Sequence, residues 1–317
     1  MEGGKLVISL DFELHWGGVE KWKIEEKHQY FSDTIQFIPE LLEIFKVNSI
    51  RATWATVGFL FADDKKQLLD FSPDLIPSYK RKELSYYNIF KSLGNNEVMD
   101  PFHFAPTLIS LILNTPGQEL ASHTFSHYYC NEKGQTIEQF QADLEAAQHI
   151  AEKNYGVTLK SLIFPRNQFN ENYLEIAKKN GIQVVRSNPD VWFWKRNYGK
   201  LAPVFRALDT LIPISRSLCF SLIKEQSGLI HLPASRFFRP YKESEKKIQR
   251  YKINRIKSEM TYAAKNNKIY HLWWHPHNFG EDIQNNKTQL LELIKHFKVL
   301  KEKYNFTSTN MIDFINE

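Results

Sequence analysis

Short apolar runs rich in β-branched and aromatic residues alternate along this chain with longer stretches whose apolar positions return at helical spacing. The short runs predict strands at Leu6 to Phe12, Ala52 to Val57, Glu119 to His123, Ser161 to Phe164, Gln183 to Arg186, Leu229 to Pro233, Ile269 to Trp274 and Phe306 to Asn310. The longer stretches predict helices at Thr34 to Phe45, Ile137 to Tyr155, Asn172 to Lys179, Ser244 to Ala264 and Thr288 to Tyr304. Alternation of this kind marks βα units on a parallel sheet. The expectation is an α/β fold, an irregular (β/α) barrel of 7–8 strands in a single domain over residues 1–317. Two connections are too long for the simple repeat, near 61–117 and 188–228. The first holds Pro73, Pro77, Pro101, Pro106 and Pro116 and reads as an excursion with short helices; long insertions in barrels often build substrate walls.

Composition narrows the classes. At 42% hydrophobic and 24% charged, 317 residues can bury a full core, which excludes a disordered or fibrous protein. The formal charge of +5 is spread thinly, and the basic stretch from Tyr241 mixes signs at helical spacing, so it reads as a solvated helix face and not a nucleic-acid surface. Cys130 and Cys219 are the only cysteines, read as two buried or idle thiols without a disulfide framework. The beginning, MEGGKLVISLDFE, enters a strand at once and leaves no room for a secretory apolar segment, and no apolar run is long enough to span a bilayer. The expectation is a soluble, cytoplasmic protein.

Three motifs close predicted strands, where α/β enzymes gather catalytic groups. In LVISLDFELHWG, strand alternation puts Ser9, Asp11, Glu13 and His15 on one face, and two carboxylates held together there need a cation or a shared proton. In HTFSH, His123 and His127 stand four apart, so on one helical turn both rings can bite one ion; His271 and His275 repeat the spacing. In HLWWHPHNFG, His271, Trp273 and His275 share a strand face, with His275 at the mouth as a proton donor, His277 its competitor and His271 a core group. A carboxylate with two histidines is a ligand set for a catalytic ion of the zinc type, and the sum points to a metal-assisted hydrolase. Arg166, in FPRNQF, pairs either with the first-strand carboxylate or with surface acids, and Asp190 either orients a histidine or belongs to an ordinary turn. Trp16, Trp192, Trp194 and Trp274 lie beside these groups; their faces suit sugar rings, and core packing explains any one of them equally well.

The order of these motifs resembles the polysaccharide deacetylase family, carbohydrate esterase family 4. The resemblance covers most of the chain, with HTFSH its most specific part. It implies an irregular (β/α) barrel that removes N- or O-acetyl groups from sugars with a divalent transition metal, usually zinc. It implies Asp11 as catalytic base, Glu13, His123 and His127 as metal ligands, and His275 as general acid. It further implies Arg166 as the arginine steadying the base and Asp190 as the aspartate orienting the acid. The acids here are separated by Phe12 where the common pattern has adjacent aspartates, and PRNQ replaces an Arg-Pro-Pro-Tyr type turn, leaving Asn167 or Gln168 as candidate oxyanion donors. Without an export signal, the chain is similar to a cytoplasmic branch acting on sugar-nucleotide or lipid-linked glycans in surface polysaccharide or lipopolysaccharide biosynthesis. An N-formyl-sugar deformylase or other metal-dependent amidase, and a non-catalytic carbohydrate-binding barrel, are the alternatives. A glycosidase is disfavoured, since acids two apart on one strand are too close to flank a bond.

Overall fold

The computed structural model describes residues 3–189, 191, 209, 215, 217–221, 223–224 and 228–317. The sheet is built outward from β1 (Lys5–Phe12), whose residues after Lys5 are all buried, as a central parallel strand requires. On one side β1 pairs with β2 (Ala52–Thr56), then β3 (Gln118–Ser122), β4 (Ser161–Leu162), β5 (Val184–Ser187) and β7 (Ile230–Pro233). On the other it pairs with β9 (Ile269–Trp274), then β8 (Arg236–Phe237). These eight strands run parallel in a curled sheet, a half-barrel with helices alongside. Antiparallel β6 (Ile223–Lys224) edges β7, and β10 (Thr307–Thr309) pairs with the start of β1. Among the described residues no strand pair closes the sheet into a full barrel.

The helices are α1 (Ile24–Val47), α2 (Lys65–Phe71), α3 (Pro106–Asn114), α4 (Ile137–Tyr155), α5 (Glu171–Lys179), α6 (Lys246–Lys265) and α7 (Ile283–Tyr304). α4 starts and stops where local chemistry dictates. Thr136 and Gln139 cap it reciprocally, and Gly156 ends it at φ 64°. α1 begins ten residues before the expected Thr34, because Ile24 to Asp33 is polar enough to hide its helical period. The stretch between β2 and β3 carries α2, several 3₁₀ turns and α3, and no strand. It packs on the first βα connection: the buried Trp16 indole donates to His103 O at 2.9 Å and sits among Phe59, Tyr86 and Phe90. Among the described residues no helix is long and apolar enough to cross a membrane.

Candidate active site

β1 delivers Asp11 to the mouth of the half-barrel at 3% exposure. A carboxylate that deep needs a cation. β5 supplies it: Arg186 donates to Asp11 Oδ1 at 2.6 Å and to Oδ2 at 2.7 Å. The same guanidinium donates to Ser9 Oγ and to Asn167 Oδ1, and lies 4.3 Å from the centre of the Trp273 ring. Burial pushes the Asp11 carboxyl up, but Arg186, helped by His123 and His275, outweighs it and holds the group below its ordinary value.

Beyond Phe12 the strand alternation stops. Glu13 leaves the extended region at φ −123°, ψ −29°, and Leu14 is left-handed at φ 47°. Glu13 therefore folds back over Gly17, where a Cβ would fall 1.9 Å from Glu13 Oε2, so only glycine leaves room for the carboxylate. His15, expected on the same face, turns away to His103 Nε2 and Trp22 O, both at 2.8 Å.

Glu13 Oε1 lies 2.9 Å from His123 Nε2 and 3.2 Å from His127 Nε2. His123 Nδ1 donates to Ile163 O at 2.7 Å, and since a carbonyl only accepts, that nitrogen carries the proton. In the neutral ring Nε2 then presents a lone pair to a carboxylate, an arrangement that calls for a cation between them. Burial lowers the His127 pKa against the pull of Glu13, favouring the neutral ring a metal needs. The ligating atoms of Glu13, His123 and His127 lie within 4.8 Å of one another, and so do those of Asp11, Glu13 and His275. The donor set fits a divalent transition metal.

The two histidines are not brought together by a helical turn. Thr124 (φ 64°) and His127 (φ 57°) are both left-handed, and the loop between them is pinned by buried Asp143 of α4, which accepts from Phe125 N at 2.7 Å, Ser126 N at 3.1 Å and the Ser126 hydroxyl. On the far side of His127, Nδ1 lies 3.0 Å from Tyr129 Oη, which meets Tyr86 Oη at 2.6 Å; Tyr86 donates to Glu20 at 2.6 Å. Glu20 is also where Arg166 goes, at 2.6 Å.

A cavity of about 430 Å³ opens above this floor, lined by Asp11, Glu13, His127 and His275 below and by Trp22, Phe237 and Trp273 at its sides. His275 Nε2 stands 3.8 Å from Asp11 and 3.9 Å from Glu13, with Nδ1 3.2 Å from Asn278 Oδ1. His277 is buried within a cage of Trp22, Tyr30 and Phe31, and burial pushes its pKa down to about 3.

Residues 29–185 match the model of the polysaccharide deacetylase family. The chain carries a polysaccharide deacetylase domain. Solved structures agree in fold. A Mycobacterium smegmatis protein named for polysaccharide deacetylases superposes with TM-score 0.62 at 12% identity, covering 99% of this chain and 90% of that one. One from Pseudomonas aeruginosa PAO1 gives 0.55 at 10% identity over 98% and 89%. PuuE allantoinase gives 0.54 at 10% identity over 98% and 89%, so a differently named protein shares the architecture. No curated protein sequence matches the chain.

Within this deacetylase-type site the sequence reading needs four corrections. Arg166 does not steady Asp11: it is left-handed at φ 55°, which swings it over the Tyr129 ring toward Glu20 and Glu132, and Arg186 takes the place expected for it. Trp16 and Trp274 are fully buried, so neither offers a face to a sugar; Trp22, Phe237 and Trp273 do. His277 lines the cavity, but burial pushes its pKa down to about 3, which disfavours it as the acid. The backbone N–H groups of Asn167 and Gln168 are spent in their own turn, on Phe164 O and Pro165 O, so neither offers a free backbone donor to an oxyanion. Asp190, Trp192 and Trp194 lie outside the described residues. Arg186, Asn278, Tyr129 and Glu20 were missed. Of these only Arg186 left a trace, as a lone charge closing the apolar Val184–Val185 run.

Proposed function

We propose that the protein is a metal-dependent hydrolase that removes an N-acetyl group, with an O-acetyl group as the second choice, from a sugar in surface polysaccharide or lipopolysaccharide biosynthesis. The observation that carries this reading is one cavity floor bearing three kinds of group: a buried Glu13–His123–His127 ligand set, an ionised Asp11 fixed by Arg186, and a partly exposed His275. Burial pushes Glu13 up, but His275, His123 and His127 outweigh it and hold its carboxyl well below the ordinary value, so it is a ready anionic ligand. A zinc-type ion held by these three residues supplies Lewis acidity and lowers the pKa of water from about 15.7 toward 7.

The chain's own residues do the rest. Asp11 accepts the proton of the attacking water, and Arg186 fixes the carboxylate so that it stays ionised until then. His275 passes a proton from Nε2 to the departing nitrogen, its ring set by Asn278. An amide nitrogen leaves poorly, so the acid matters as much as the base. Asn167 lines the cavity with its Oδ1 held by Arg186, which leaves its NH₂ as a donor for the developing oxyanion. Trp22, Phe237 and Trp273 form the apolar walls for the ring.

The test is acetate release from N-acetylated sugars by protein reconstituted with zinc, against chelator-treated protein. Metal-dependent acetate supports the reading. Formate in its place assigns the site to N-formyl sugars, and no acyl release from any sugar removes the enzyme reading.

A further inference from the structure

The mouth of the cavity carries more positive charge than the floor can use. Four cationic side chains line it: Lys21, Arg166, Arg239 and Lys242. The floor carboxylates are already matched, Asp11 by Arg186 and Glu13 by the two histidines. Arg166 is taken by Glu20 and Glu132, and Glu245, the remaining carboxylate of the lining, is engaged by Lys252. Lys21 stands a loose 3.7 Å from Glu20, whose oxygens already accept from Tyr86 and Arg166. The side chains of Arg239 and Lys242 make no hydrogen bond or close ion pair with any described residue, and feel the Glu245 carboxylate only at longer range. Arg239 is half-buried beside Pro240, just past the C-terminal end of β8, where a side chain without a hydrogen-bonding partner gives up hydration for little return.

Two cations without a close partner, Arg239 and Lys242, with the loosely paired Lys21 on the same rim, call for an anion, and a dianion matches them better than a single carboxylate. The Arg239 guanidinium can hold phosphate oxygens in pairs, and the two lysines add point charge. The aromatic walls lie in the same cavity, so a sugar ring seated there can carry its charged substituent out to the rim.

We propose that the substrate is a phosphate-bearing N-acylated sugar, whose phosphate is held by Arg239, Lys242 and Lys21 while the acylamino group reaches Asp11 and His275. The identity of the reacting group rests on the deacetylase reading; the phosphate contact rests on the rim cations. A sugar nucleotide and a lipid-linked sugar both offer this chemistry.

The experiment is calorimetric titration of the full chain, stripped of metal so that phosphate has no ion to bind. The ligands are N-acetylglucosamine, N-acetylglucosamine 1-phosphate, glucuronic acid, UDP-N-acetylglucosamine and a prenyl-diphosphate-linked N-acetylglucosamine. The 1-phosphate should bind roughly 10- to 100-fold more tightly than the neutral sugar. That advantage should vanish in Arg239→Gln/Lys242→Gln, with its melting temperature unchanged, and should shrink as salt rises. Whichever diphosphate binds more tightly than the 1-phosphate identifies the source. Equal affinity for neutral and phosphorylated sugar, an advantage that survives the double substitution, or glucuronic acid matching the phosphate each overturns the proposal. Binding is read without turnover, so a failure to release acetate would remove the deacetylase reading and leave the phosphate result standing.

Discussion

Replacing Arg186 by methionine keeps most of the side-chain volume and removes the charge. Asp11 then loses both of its short bonds, Asn167 Oδ1 loses two donors, Ser9 Oγ loses one and the Trp273 ring loses its cation. Both members of the pair are buried, with side-chain exposures of 0% and 4%, so solvent screens little of the loss. Stripping one partner from such a pair costs about 3–5 kcal/mol, and in a chain of this size that is a fall in Tm of roughly 5–8 °C. The sign of the pH dependence follows from Asp11, whose carboxyl is held below its ordinary value. The stability from the pair is fully present above the unfolded-state value of 3.8 and is lost as pH falls through the lower folded value. Thermal unfolding by circular dichroism in chelator, from neutral pH downward, should show a wide gap between wild type and variant at pH 7 that closes in acid. Arg186→Lys should recover part of it, since an ammonium keeps the charge but not the fork. A variant within about 1 kcal/mol of wild type at neutral pH, or a gap that does not narrow in acid, would refute the reasoning.

The remaining predictions concern the ligands and the acid. Gly17→Ala places a Cβ on Glu13 Oε2, so metal affinity should fall by at least roughly 10-fold in a competition titration while the fold survives. Tyr129→Phe removes the hydroxyl beside His127 Nδ1 and should weaken metal binding about 10- to 100-fold, whereas Tyr155→Phe, on α4 with its hydroxyl on Phe61 O, should not. His275→Gln should keep the metal and slow amide hydrolysis by about 10²- to 10⁴-fold, with a smaller effect on an activated ester; a larger loss in His277→Gln would reassign the acid.

What the sequence could say depended on whether local chemistry decided the outcome. α4 matches its expected bounds because a capping box and a terminal glycine write its ends, and β9 does because five of its six residues are apolar or aromatic. The ligand residues were legible from their types and spacing, but the reason they meet was not. It lies in the left-handed Thr124 and His127 and in Asp143, eighteen residues from Phe125 in the chain, and no helical period encodes that. Strand alternation misled at His15 because Leu14 reverses the chain one residue after Glu13. Arg166 looked right because it follows a strand in a turn, and only the backbone reversal there sends it to Glu20. Arg186 was passed over because it closes a predicted strand, and only the order β7-β5-β4-β3-β2-β1 shows that its face opens onto Asp11. Trp16 and Trp274 went to the core, Trp16 against Phe59 of the stretch after β2 and Trp274 against Phe238 and Phe279.

The central claim is a division of labour between two acids two residues apart, Glu13 holding the metal and Asp11 moving the proton. Bound zinc and acetate release measured side by side in Asp11→Asn and Glu13→Ala test it directly. Asp11→Asn should stay near stoichiometric in metal while turnover collapses; Glu13→Ala should lose metal and activity together, with partial rescue by excess zinc. Metal lost from Asp11→Asn and kept in Glu13→Ala would contradict the account.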